Sequence, residues 1–230
     1  MLNGNGNDNA TKKLIRDTAT RLFREKSFEA VTLHEICRES GINKHTFYYY
    51  FKSKDELLEY YYTLPWNLTA SEATEILTSD NYVDQLWLIV RKFINYMQKT
   101  GVEIMRQIII KNLTQDKGTF LPNSEMWEIF RLEVSIVKKG QQAGQFRNHG
   151  DPKVLVMVIQ QILHANCLMW SVSRGDFDFD AFVRFLIENL LDVDNSYRTT
   201  SENILDDFFS KMNCNINESK DSTEDKHRRK

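Results

Sequence analysis

Between positions 44 and 49 the chain sets Lys44, His45, Thr46, Tyr48 and Tyr49 almost side by side: an ammonium, an imidazole and three hydroxyls. Such groups donate hydrogen bonds to phosphate oxygens and base edges, and on a docked helix the N-terminal ones reach bases while later ones reach the backbone. Tyr48, Tyr49 and Tyr50 are consecutive, so at about 3.6 residues per turn they fan over more than half of a helix and cannot all be buried. Lys52 and Lys54 follow, and Ser53 and Glu56 are spaced as a capping box that opens a further helix, at whose N-terminus Lys54 would welcome a phosphate. Catalysis finds no comparable foothold. H-E-x-x-H, G-x-G-x-x-G, a P-loop and G-x-S-x-G are all missing, and the five histidines are scattered, so no catalytic residue, metal site or cofactor is expected.

The elements that must hold those side chains are legible around them. Thr32 and Glu35 form a T-x-x-E capping box, which starts a helix at about Leu33, with Val31 and Ile36 placed as a hydrophobic staple. Leu33, Ile36, Cys37 and Ser40 recur at helical spacing as its inner face. Gly41 can take the left-handed conformation that ends a helix, Ile42 returns an apolar anchor, and Asn43 can cap the next helix. Phe47 and Phe51, four apart, give that second helix a buried edge. Upstream, Ile15, Ala19, Leu22 and Phe23 make the inner face of a first helix.

The stretch 32–58 resembles the DNA-binding domain of the tetracycline-repressor (TetR) family, whose pattern T-[VL]-x-x-I-[AC]-x-x-[AS]-G-[VI]-[SN]-x-x-[TS]-[LF]-Y-x-[HY]-F-x-[SN]-K-[ED]-x-L it follows almost throughout. Phe28 stands at the family's aromatic position before the capping threonine. Ser27 replaces a usual glycine, His45 a small residue or proline, and Tyr50 a common histidine, so the operator preference of relatives does not transfer at those positions. The resemblance implies an all-α chain: an N-terminal three-helix helix-turn-helix domain followed by a larger helical ligand-binding and dimerisation domain. It implies DNA contacts from Thr32, Asn43, Lys44, His45, Thr46, Tyr48, Tyr49, Lys52 and Lys54. It further implies a homodimer on a palindromic operator, a repressor released by a small-molecule effector. The alternative within the same resemblance is a relative without effector control, acting as an interaction factor or coactivator.

Charge agrees with one-ended docking. The net charge is −2, yet residues 1–54 hold ten Lys/Arg against six Asp/Glu, a net +4 that leaves −6 on the remainder. A basic module on an acidic body suits contact with a polyanion at one end. The cysteines, Cys37, Cys167 and Cys214, lie far apart and form neither a disulfide framework nor a zinc pattern. The polar start MLNGNGNDNA has no signal-peptide core, and the apolar runs read as short of a membrane span, so a cytoplasmic location is expected.

Beyond Leu58 the pattern stays helical, with expected domains at 1–10 (flexible N-terminus), 11–58 (DNA-binding), 59–195 (effector-binding and dimerisation), 196–214 (an extra amphipathic helix) and 215–230 (a disordered tail). Helices are expected over 82–99, 102–113, 125–145, 154–172 and 177–191, with a loop at 117–123. The run from Val154 to Val172 is apolar on nearly every side, more than one core absorbs, so it and the following helix are assigned to dimerisation through Leu155, Ile159, Ile162, Phe182, Leu186 and Leu190. Aromatic or polar residues on otherwise apolar helices are the effector candidates: Tyr62, Trp66, Trp87, Arg91, Tyr96, Met105, Gln107, Trp127, Arg131, His164 and Trp170. Arg91 and Arg131 are expected to look inward, which favours an anionic or carbonyl-bearing effector.

Overall fold

A computed structural model describes residues 4–61 (4–9 as backbone alone), 67–115, 124–201 and 203–212. In chain order the helices are α1 (Gly4–Lys26), α2 (Leu33–Glu39), α3 (Lys44–Tyr50), a 3-10 helix (Asp55–Tyr61), α4 (Ala70–Thr78), α5 (Tyr82–Thr100), α6 (Val102–Gln115), α7 (Ser124–Gln142), α8 (Pro152–Val172), α9 (Phe179–Leu190) and α10 (203–212). The architecture is all-α, and an isolated antiparallel bridge between Phe146 and Val193 is the β pairing among the described residues. The chain divides into two compact units, Met1–Leu64 with Met97–Leu121, and Pro65–Tyr96 with Pro122–Lys230.

In the first unit Ile15, Ala19, Leu22 and Phe23 of α1 are buried, with Phe28 tilted against Phe23 at 4.8 Å. Ser27 ends α1 at φ +88°, a conformation that costs an L side chain energy and that a glycine takes freely. Gly41 at φ +68° closes α2, where its N–H reaches Arg38 O and that of Ile42 reaches Cys37 O, the paired bonds of a Schellman cap. A β-carbon on Gly41 would meet no neighbour, so its dihedral and not its size is what the turn needs. The N-terminus was expected to be flexible to residue 10; α1 instead runs back to Gly4. The unit also takes in α6, which lies within the stretch 59–195; two polar contacts tie it to the rest, and a third ties the end of α5 just before it. Gln107 donates to the Glu29 carboxylate, Lys111 pairs with Asp55 at 2.5 Å, and Arg24 Nε donates to Thr100 O at 3.3 Å.

In the second unit α4 is an element that helical periodicity did not announce. It is opened by a complete capping box, in which Thr69 Oγ1 accepts from Glu72 N–H at 3.2 Å and Glu72 Oε2 accepts from Thr69 N–H at 2.7 Å. Lys92 of α5 then holds the Glu72 carboxylate at 2.7 Å. Gly140 lies within α7 where Phe146 folds back onto it; a β-carbon there would stand 2.3 Å from that ring, so the helix needs glycine for close approach. Gln145 joins distant segments, accepting from Tyr82 N–H and donating to Asp80 O, both at 2.7 Å. Phe208 of α10 stacks on Phe182 of α9, with centroids 4.1 Å apart and planes at 8°. Glu188, buried on α9, accepts from Thr199 and Thr200 and pairs with Arg184 at 2.8 Å, which pins the segment leading to α10.

Helix α8 is longer and more apolar than the sequence reading allowed. Its 21 residues include a stretch with a mean hydropathy of 1.4, enough by length and composition to cross a membrane, and half of that stretch is buried inside the protein. Its buried side carries Gln160, Asn166 and Ser171 among the apolar residues, as a core helix does.

Candidate nucleic-acid interface

The recognition surface is built from α3 outward. Asn43 Oδ1 accepts from Thr46 N–H at 2.8 Å and from the Thr46 hydroxyl at 3.0 Å, so both side chains are engaged in capping. Phe47, fully buried, sets the helix rotation. With that face fixed, Lys44 and His45 stand exposed, and Tyr48 and Tyr49 retain 56% and 69% of their surface, while Tyr50 is half-buried with its ring edge-on to Tyr49 at 4.8 Å. Lys52 is exposed as well. Thr32 uses its hydroxyl to accept from Glu35 N–H at 3.2 Å, and the Glu35 carboxylate pairs with Lys26.

Lys54 departs from expectation. Its ammonium donates to Phe28 O at 2.6 Å and Val31 O at 2.9 Å and lies 4.3 Å over the Phe28 ring, and this partial burial lowers its pKa. It braces the turn before α2 and is not presented to a phosphate. The reason is remote in sequence: two carbonyls more than twenty residues upstream have no helical partner and capture the nearest cation. The helix expected after Ser53 is a 3-10 turn of seven residues in which the Glu56 carboxylate accepts from Lys52 N–H.

The described effector candidates divide between the two units. Tyr62 and Trp66 lie outside the described residues. Met105 and Gln107 are buried on α6 in the first unit, Gln107 being spent on Glu29. Arg91 and Arg131 point outward, paired with Asp180 at 3.5 Å and with Glu128, and Trp127 is half-exposed against Phe130. Tyr96 is half-buried. Trp170 is buried in a stack with Phe179, 5.6 Å between centroids. Trp87 is buried beneath the Arg184 guanidinium, 4.8 Å from its ring, beside a space of about 10 Å³, room for a single water. His164 is half-buried and edge-on to Phe93 at 5.9 Å, with a pKa that burial lowers.

A polar pair missed at the sequence level lies in the same interior. Glu133 of α7 is 1% exposed and accepts from Gln160 Nε2 of α8 at 2.7 Å; burial pushes its carboxyl up to about 8, against a smaller lowering by the amide. The signal was present: Gln160 interrupts an apolar run, and a glutamate at that register of α7 falls on the face of Ile129, Ile136 and Val137. The cysteines Cys37 and Cys167 are buried free thiols, the latter pushed up to about 12 by burial, as unreactive core residues are.

The dimerisation residues are placed differently from expectation. Leu155 and Ile159 are buried in their own chain, and Phe182 is covered by Phe208. Ile162, Leu186 and Leu190 are half-buried. Outward on α8 are Val154, Met157, Val158, Leu168, Met169 and Val172, an apolar stripe at both ends of the helix with Gln161 and Ala165 exposed between them. A helix apolar all round could not reveal by periodicity which side its own core would take.

Residues 15–61 match the family described as bacterial regulatory proteins, tetR family. The HTH-type transcriptional regulator YerO of Bacillus subtilis is 46% identical over 63 residues, 26% of this chain and 22% of that protein, so the match spans about a fifth of the relative. YdeS of the same organism is 22% identical over 187 residues, 81% of this chain and 90% of the relative. A TetR transcription regulator from Haloarcula marismortui has the same fold, with a TM-score of 0.57 at 12% identity over 80% of this chain and 97% of that one. Residues 15–61 thus match the DNA-binding domain of the tetR family of bacterial regulatory proteins, and the chain shares its fold with the Haloarcula regulator.

Proposed function

We propose that the chain is a cytoplasmic, homodimeric transcriptional regulator that holds a palindromic operator through two copies of α3 and, as a repressor, is released by a small molecule bound in the second unit. The observation that carries this is the exposed row Lys44, His45, Tyr48 and Tyr49 on a helix locked from behind by Phe47 and capped by Asn43. The apolar stripe on α8 supports self-association, since apolar surface of that extent needs cover, and two-fold symmetry then sets the recognition helices about one DNA turn, roughly 34 Å, apart. Release is a matter of linkage: a ligand that prefers the conformer with misplaced recognition helices lowers operator affinity by its preference. Helix α6 supports such coupling, because it is tied to Glu29 and Asp55 on either side of the α2–α3 pair and is flanked in the chain by segments of the second unit.

Selection from random duplexes tests the reading. It should return a palindromic motif whose binding falls steeply with salt, and a flat, unenriched pool would contradict it. One observation favours the second reading, a relative that binds DNA without effector control: the space beside Trp87 admits no more than a water. A screen in which no compound shifts operator affinity would establish that reading.

A further inference from the structure

The outward residues of α8 are spaced as the seam of a coiled coil. Val154, Val158, Gln161, Ala165, Leu168 and Val172 are all exposed, in alternating steps of four and three residues, while Leu155, Ile159 and Leu163 face the protein's own core. Such a repeat keeps one face against a partner helix along its length, at a crossing of roughly 20°. The seam is also its own complement. Reversed end for end about Leu163, it falls on itself: Val154 on Val172, Val158 on Leu168, Gln161 on Ala165. Two copies laid antiparallel therefore match apolar to apolar in the four outer layers. In the two central layers each Gln161, the long polar side chain of the seam, meets the small Ala165 of the other copy. Laid parallel, the same helices would crowd Gln161 on Gln161 and leave Ala165 facing Ala165. A slip of one heptad would press the amide on Val158 or Val172, so this polar layer fixes the register. Antiparallel helices also oppose their dipoles, and the exposed charges at the two ends, Asp151 and Lys153 before the seam and Arg174 and Asp176 after it, offer each cation an anion.

Helix α9 has no such face. The expected interface included Phe182, Leu186 and Leu190, yet the apolar side chains of α9 are all buried or half-buried, and Phe208 of α10 is stacked on Phe182. We propose that the dimer is built on an antiparallel pair of α8 helices whose two-fold axis passes at the level of Leu163, and that α10 closes the Phe182 face of α9 to the partner. This rests on the homodimer reading above and specifies its geometry. The two Gln161 levels lie about 6 Å apart along the helices, one on either side of the axis, near enough for amide to hydrogen-bond amide.

Disulfide capture in the full chain tests it, with Cys214→Ser as background, since Cys37 and Cys167 are buried thiols. Val154→Cys alone sets its two thiols at levels about 27 Å apart, beyond the reach of a disulfide; adding Val172→Cys gives each thiol a counterpart across the interface and none within its own chain. Mild oxidation should link the double variant into dimers at least about tenfold faster than either single variant. Val158→Cys with Leu168→Cys should do the same, which covers the case of a misfolded first pair. Rapid linking by Val154→Cys alone would mean parallel helices, and failure of both folded double variants in a chain that light scattering shows to be dimeric would mean another face. Either result overturns the proposal and leaves the homodimer reading standing, whereas a monomeric native chain overturns both.

Discussion

The two units keep their polar groups in opposite ways. At the caps of α2 and α3 the polar side chains are satisfied within a turn of themselves: Thr32 by Glu35 N–H, Ser40 by Ile36 O, Asn43 by Thr46 N–H. In the second unit the partners come from far along the chain: Glu133 with Gln160, Gln145 with Tyr82 and Asp80, Glu188 with Thr199 and Thr200. Local satisfaction makes a rigid, sequence-encoded platform, which a helix reading DNA requires. Remote satisfaction leaves polar atoms whose pairing depends on how helices pack, the kind of contact that the proposed ligand response would draw on.

Four substitutions break or sharpen that contrast. The largest effect is expected on the α8 stripe, where Met157→Glu combined with Leu168→Glu should convert dimers into monomers and cost DNA affinity by about a hundredfold or more, because each half-site then binds alone. Light scattering and operator titration would read both changes; an unmodified protein that is monomeric would remove the assignment. Next, Gly140→Ala drives a methyl to within 2.3 Å of the Phe146 ring and should cost about 3 kcal/mol in denaturant unfolding.

Third, Glu133→Gln should change the pH profile of stability. The folded carboxyl titrates at about 8 and the unfolded one at about 4.3, so wild type is stabilised by this group below pH ~4.3 and loses that stability progressively as pH rises to about 8. The variant has no such loss, and its Tm advantage should grow from near zero at pH 4 to on the order of 10 °C at pH 8. Parallel profiles would show that the carboxyl is not held neutral. Smallest, Ser27→Gly relieves the left-handed strain at φ +88° and should stabilise the first unit by roughly 0.5–1 kcal/mol in calorimetry.

What was legible in the sequence follows the same division. The bounds of α2 and α3 could be read from Thr32, Gly41 and Asn43 because a cap is a contact between near neighbours. The strained Ser27 was legible too, as a departure from glycine at a helix end. Lys54 was not, since the carbonyls it braces belong to Phe28 and Val31, far upstream. Nor was the direction of α8, whose apolar residues all round leave the choice between Leu155 and Val154 to packing. Arg91 and Arg131 were expected to look inward, but Arg131 stands on the face of α7 opposite Ile129, Ile136 and Val137, and both arginines pair with acidic residues at the surface. The opening of α4 carried a readable signal, Thr69-x-x-Glu72, that the weak apolar pattern after it obscured.

The central claim is that two identical copies of α3 read DNA through Lys44 and His45. The most direct measurement compares the motif selected from random duplexes by the native chain with that selected by His45→Ala. A palindrome should emerge from both, with base preference altered at one position in each half-site, symmetrically about the centre, and unaltered elsewhere. An unchanged motif, or a change confined to one half, would contradict it.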